Sequence, residues 1–88
     1  MNGILSDNDT KAVLKILVDH LSVQETELTP EARFEEDLGS DSLMRVEISM
    51  AVEDYFNIAI PDEKLEKVET VRDLFEALAD VPGMSPRR

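Results

Sequence analysis

Phe34-Glu35-Glu36-Asp37-Leu38-Gly39-Ser40-Asp41-Ser42-Leu43 is the stretch that organises the reading of this chain. Gly39 suits a turn, Ser40 and Asp41 are both good helix caps, and the residues after Ser42 are amphipathic. A helix is therefore predicted over residues 42–56. Turning roughly 100° per residue, it puts Leu43, Val46 and Met50 on one apolar face and Ile48, Val52, Tyr55 and Phe56 on a second. Glu47 and Asp54 lie together on one polar strip, and Arg45, Ser49 and Glu53 on the other. A helix apolar on two sides is expected to sit centrally and touch several neighbours. Asn57 can end it.

Working outward on the N-terminal side, residues 9–21 read as a first helix, with Asp7, Asn8 or Asp9 as its cap. Val13, Ile16, Leu17 and Leu21 recur at helical spacing and define its buried stripe. Residues 22–36 form a long connection containing Pro30, in which Val23, Leu28 and Phe34 are isolated anchors to the core. On the C-terminal side, Ile58, Ala59 and Ile60 form a short apolar connector closed by Pro61. It could be a strand, but nothing else in the chain offers a strand to pair with it. Residues 62–66 read as a short helical turn started by Pro61. Residues 70–79 read as a last helix, capped by Thr70 with Asp73 three residues on, and buried through Val71, Leu74, Phe75 and Leu78. The expected fold is all-α: a small four-helix bundle of three longer helices and one short one, with a long loop between the first two. One domain over residues 1–81 is expected, followed by a frayed tail over 82–88.

Length and composition narrow the function. Eighty-eight residues suffice for one small domain. A formal net charge of -11 repels phosphate backbones and anionic membranes, which argues against nucleic-acid binding and favours partners with basic patches. The chain has no cysteine, so it has no disulfide, thiolate metal site or cysteine nucleophile. No signal peptide and no apolar run of spanning length is visible, so the expected location is the cytoplasm, and the expected state a monomer.

The same stretch holds the candidate chemistry. Serine catalysis needs a base and an orienting acid. The single histidine, His20, sits at the end of the first helix, where it is an ordinary helix-end residue. The segment 39–43 also lacks the second glycine of a nucleophile elbow. The spacing of Asp37 and Asp41 does not make a calcium loop, so no metal site is expected. By itself Ser42 reads as a cap or first-turn residue. A phosphate on its hydroxyl would nevertheless face free backbone N–H groups and the positive end of the helix dipole. Glu47, Glu53 and Asp54 read by themselves as a solvated face.

The chain closely resembles the acyl carrier proteins of fatty-acid and polyketide biosynthesis. The resemblance centres on Asp37-Leu38-Gly39-Ser40-Asp41-Ser42-Leu43. It continues through Val46-Glu47, Met50, Glu53-Asp54 and Phe56, then Ile60-Pro61-Asp62-Glu63, Val68 and Thr70-Val71. It implies that Ser42 receives a 4'-phosphopantetheine arm from coenzyme A, transferred by a magnesium-dependent phosphopantetheinyl transferase. The thiol of that arm would carry acyl groups as thioesters, a thiol function in a chain without cysteine. Asp41 and Leu43 would flank and help present the serine. Glu47, Glu53 and Asp54 would meet basic patches on the transferase and on acyl-loading, ketosynthase or acyltransferase enzymes. Val46, Met50, Ile60, Leu65 and Val68 would line a cavity for the acyl chain. Met44 and Arg45 stand where the family often has an acid and a neutral residue. They would put an apolar surface and a positive charge on the recognition helix, as in a dedicated carrier of a specialised pathway. A peptidyl or aminoacyl carrier on the same fold, and an unmodified acidic adaptor, remain as alternatives.

Overall fold

The structure, a computed structural model, describes residues 4–84. Four α-helices follow one another: α1 Asp7–Leu21, α2 Ser42–Phe56, α3 Asp62–Glu66 and α4 Val71–Ala79. One 3₁₀ turn, Glu25–Glu27, interrupts the long loop between α1 and α2. The expected all-α bundle is the fold found, and the 58–60 connector stays irregular. The domain measures 30 × 25 × 20 Å.

α1, α2 and α4 each begin where a side chain caps orphan backbone amides, whereas α3 starts after Pro61 without such a cap. α1 starts two residues earlier than expected because Ser6 is the cap, its hydroxyl accepting from the Asp9 amide at 3.3 Å. Asp7 falls inside the helix, in a first turn where acids suit the dipole. α2 has the expected bounds, capped by Asp41 and ended by Asn57 in the left-handed conformation (φ 55°) that Asn tolerates. α4 is opened by a reciprocal capping box. The Thr70 hydroxyl accepts from the Asp73 amide, and Asp73 Oδ2 accepts from the Thr70 amide, both at 3.1 Å.

The core is mainly aliphatic and gathers residues from α1, α2, α4 and the segments between them. Val13 and Leu17 of α1, Val52 of α2, and Val71, Phe75 and Leu78 of α4 are fully enclosed. Ile16 and Leu21, expected on the α1 stripe, are half-buried at its edge, whereas Leu5 and Thr10 are buried. Thr10 is tolerated inside because its hydroxyl donates to the Leu5 carbonyl at 3.3 Å.

The long loop is built in, as its anchors suggest. Leu28, Ala32, Phe34 and Leu38 are buried, and Val23 is half-buried. Its backbone is also tied to the start of α4. The Phe34 amide donates to Glu69 O, Val71 to Ala32 O (both 3.0 Å), and Arg72 to Pro30 O at 3.1 Å. The last two use the first amides of α4, which have no partner inside their own helix. The expected tail spans residues 82–88. Val81 and Met84 are buried against the core, so packing runs on past residue 81. Gly83 permits this with φ 101°, since a Cβ there would lie 2.6 Å from Ile58 Cγ2. The rest of the expected tail, residues 85–88, lies outside the described residues.

Candidate functional site

The loop into α2 is a compact turn that delivers Ser42 to the surface. The Asp37 and Leu38 amides both donate to Arg33 O, at 2.9 and 3.1 Å, and Ser40 donates to Phe34 O at 2.8 Å. Asp37 Oδ2 returns the contact by accepting from the Arg33 amide at 2.9 Å. Glu36 pairs with the Arg33 guanidinium at 2.9 Å, and this hydrogen bond and charge hold Arg33 above its ordinary pKa. Gly39 takes φ 73°, the left-handed step that reverses the chain. Ser40 is buried there, its hydroxyl donating to Asp41 O at 3.2 Å. Of the two expected caps, Asp41 is therefore the one that caps α2, with Oδ1 accepting from the Met44 amide at 2.8 Å. Ser42 is the first helical residue, and it is exposed.

Beside Ser42 opens a cavity of about 230 Å³, lined by Phe34, Ser42, Arg45, Val46, Ile48, Ser49, Leu65, Glu66, Val68 and Leu74. Its walls come from α2, the end of α3, α4 and the loop. Three of the five residues expected to line a pocket, Val46, Leu65 and Val68, are brought together here. Met50 points away to solvent, and Ile60 is buried in the core without lining the cavity. Phe34, Ile48, Ser49 and Leu74 are cavity residues that the sequence does not mark as such: Phe34 reads as an isolated loop anchor, and the helical spacing of Ile48 and Leu74 marks them only as packing positions. Ser49 is buried beside the cavity, with its hydroxyl donating to Val46 O at 2.7 Å, one turn back on its own helix.

The two apolar faces of α2 have different fates. Ile48 and Val52 are buried, but Leu43, Val46 and Met50 are 66%, 53% and 60% exposed, and Tyr55 is 67% exposed. The expected central helix thus has neighbours mainly through Ile48 and Val52, while Leu43 and Met50 stay open and Val46 is turned to the cavity. The Leu43–Val46–Met50 face forms an apolar strip running away from Ser42, in the i, i+3, i+7 pattern of a docking helix.

The charged residues on α2 also separate. Glu47 and Asp54 are exposed. Glu53 is half-buried and turned to structure, its Oε2 accepting from the Ile60 amide at 2.7 Å. The expectation that Arg45 adds positive charge to the recognition helix is replaced by a more specific placement. Its Nη1 lies 3.3 Å from Glu35 Oε1, and its Nη2 donates to Leu65 O at 3.1 Å and to Val68 O. Met44 is likewise half-buried and packs against the core.

His20 Nδ1 donates to Ile16 O of its own helix at 3.0 Å. Among the described residues, no group of three or more His, Asp or Glu side chains is arranged to hold a metal ion. No helix there is long and apolar enough to cross a membrane.

Residues 11–78 match the family model described as phosphopantetheine attachment site. Domains of this family attach 4'-phosphopantetheine as a prosthetic group and act as carriers, not catalysts. The match takes in most of α1, the Gly39 turn, the capped start of α2, and the cavity between α2, α3 and α4, and the chain belongs to this family of phosphopantetheine-bearing carrier domains.

Proposed function

We propose that this protein is an acyl carrier protein whose arm is attached at Ser42. The observation that carries the reading is a single placement. Ser42 is exposed at the first position of a capped helix and also stands on the rim of an apolar cavity. A chain tethered near that hydroxyl can reach a partner enzyme or fold back into the domain.

The residues present fit the group. Asp41 spends its carboxylate on the Met44 amide and so fixes the first turn. Ser42 lies at the positive end of the α2 dipole, which favours a phosphodiester there. In loading, Ser42 Oγ forms a bond to the pantetheine-side phosphorus of coenzyme A. The pyrophosphate bridge breaks, the nucleotide bisphosphate leaves, and the hydroxyl proton passes to the transferase or to solvent. Once attached, the group supplies a thiol that carries cargo as a thioester. The domain contributes no nucleophile of its own to later steps; it orients the attachment point, shelters cargo and presents a docking face.

That face combines Glu47 and Asp54 with the exposed Leu43 and Met50. It suits enzymes that pair a basic patch with an apolar groove, among them the phosphopantetheinyl transferase and acyl-loading, ketosynthase or acyltransferase partners. The cavity favours acyl over aminoacyl cargo. Six of its lining residues are apolar, and the Ser49 hydroxyl is already committed to its own helix. A fatty-acid or polyketide pathway is the setting we infer.

The absence of cysteine makes the test simple. Thiol titration of the purified protein reads zero before modification. After incubation with coenzyme A, magnesium and a broad-specificity transferase it reads one thiol per chain, and Ser42→Ala stays at zero. A thiol gained by Ser42→Ala would overturn the assignment.

A further inference from the structure

Arg45 crosses the seam between α2 and α3. It starts from α2, borders the cavity, and ends on the carbonyls of Leu65 and Val68, with Glu35 holding the other side of its fork at 3.3 Å. Leu65 O is one of the last carbonyls of α3, where a cation meets the negative end of that short helix. Leu65 and Val68 are themselves cavity walls. The same side chain therefore borders the cavity and pins the segment that would have to move for the cavity to grow.

We propose that Arg45 is a length-limiting latch, a specificity-determining residue that sets how long a cargo chain the domain shelters. The proposal rests on the carrier reading above. With the latch made, the space is about 230 Å³. At about 30 Å³ for a group the size of a water, that is room for roughly seven or eight methylenes. A longer chain must part α3 from α2, which takes the guanidinium away from both carbonyls; Leu65 O keeps the Val68 amide as a donor at 3.1 Å, while Val68 O loses the Arg45 bond. Otherwise the surplus stays outside, against Val46 and the apolar strip of α2. A planar guanidinium can hold two carbonyls and a carboxylate together; a lysine at this position would offer one compact charge in place of a fork.

The test loads the full chain from a series of acyl-coenzyme A donors, butyryl to palmitoyl, with a broad-specificity transferase. It compares wild type, Arg45→Lys and Arg45→Met. The readout is melting temperature against chain length, together with amide exchange at Lys67 and Val68. In wild type the stabilisation by cargo is expected to level off near octanoyl, and longer chains to speed exchange at those two amides. In Arg45→Met it is expected to keep rising through lauroyl, with the two amides fast at every chain length. A general loss of stability would lower every point without moving the break. An identical break in wild type and Arg45→Met overturns the latch while leaving the carrier reading intact. Failure of Ser42 to accept any acyl-pantetheine, with the transferase active on a control carrier, overturns both. If Arg45→Met does not fold, Arg45→Lys and the exchange profile of wild type decide by the same criteria.

Discussion

Glu53 provides a sharp test of how this structure divides its acids. Three carboxylates on α2 look alike in sequence, yet only Glu53 is tied inward, accepting from the Ile60 amide at 2.7 Å. That bond bridges the last turn of α2 to the connector before α3, just where Ile60 enters the core at 5% exposure. Glu53→Ala leaves the Ile60 N–H without this acceptor. An unsatisfied buried donor costs about 1–3 kcal/mol, and the half-exposed carboxylate argues for the lower part, about 1–2 kcal/mol. For a domain of this size each kcal/mol shifts the melting temperature by roughly 4–8 °C, so a fall of about 5–15 °C is expected. Glu53→Gln keeps an oxygen acceptor but loses the charge, and charge-assisted bonds are roughly twice as strong as neutral ones, so about half that fall is expected. Asp54→Ala is the control. Asp54 is exposed near the C-terminal end of α2, where the dipole disfavours an acid, and its removal is expected to stay within about 0.5 kcal/mol. Thermal and urea unfolding followed by circular dichroism measure all three. Equal stability of Glu53→Ala and Asp54→Ala would show that the Glu53–Ile60 bond does not hold the connector.

Asp41→Ala removes the α2 cap and is expected to cost about 1 kcal/mol, with Asp41→Asn costing only a few tenths; urea midpoints at constant slope would show it. Asp73 is held below its ordinary carboxylate pKa: partial desolvation pushes it up, but amide bonds from Glu69 and Thr70 and the Thr70 contact outweigh that. Its folded pKa being the lower one, its contribution is full above the unfolded value of about 3.9 and is lost as pH falls through the depressed folded value. Asp73→Asn is therefore expected to flatten the acid limb of a stability-against-pH curve, and an unchanged limb would count against this network. Self-repulsion at a net charge of -11 predicts a melting temperature that rises with salt. At about 0.01 M the screening length, about 30 Å, spans the 30 Å long axis; at about 0.1 M it falls to about 10 Å. A flat or falling melting temperature over that range would contradict it.

Much of the fold could be read from the chain because its signals are local. Asp41 and Asn57 bracket α2, Thr70 and Asp73 open α4, and Val71, Leu74, Phe75 and Leu78 repeat at helical spacing. The exceptions involve distant partners. Periodicity revealed two apolar faces on α2 but carried no information on which one another segment would cover, and the Leu43–Val46–Met50 face is left open. Glu53 and Arg45 looked like surface charges because their partners are backbone groups of residues 60, 65 and 68, and backbone groups leave no mark in a sequence. The ties of Phe34, Ala32 and Pro30 to the start of α4 were hidden for the same reason. At the candidate site, Ser42 and its cap were legible from the turn and helix-start pattern. The cavity was legible only in part, since Met50 and Ile60 share apolar character with Val46 and Leu65 but not their direction.

Attachment at Ser42 is read most directly by intact-protein mass spectrometry. Wild type and Ser42→Ala are incubated side by side with coenzyme A, magnesium and an active broad-specificity transferase. Wild type is expected to gain the mass of one phosphopantetheine, localised to Ser42 by fragmentation, and Ser42→Ala to gain nothing. An unmodified wild type beside a modified control carrier, or an adduct on any other residue, would contradict attachment at Ser42.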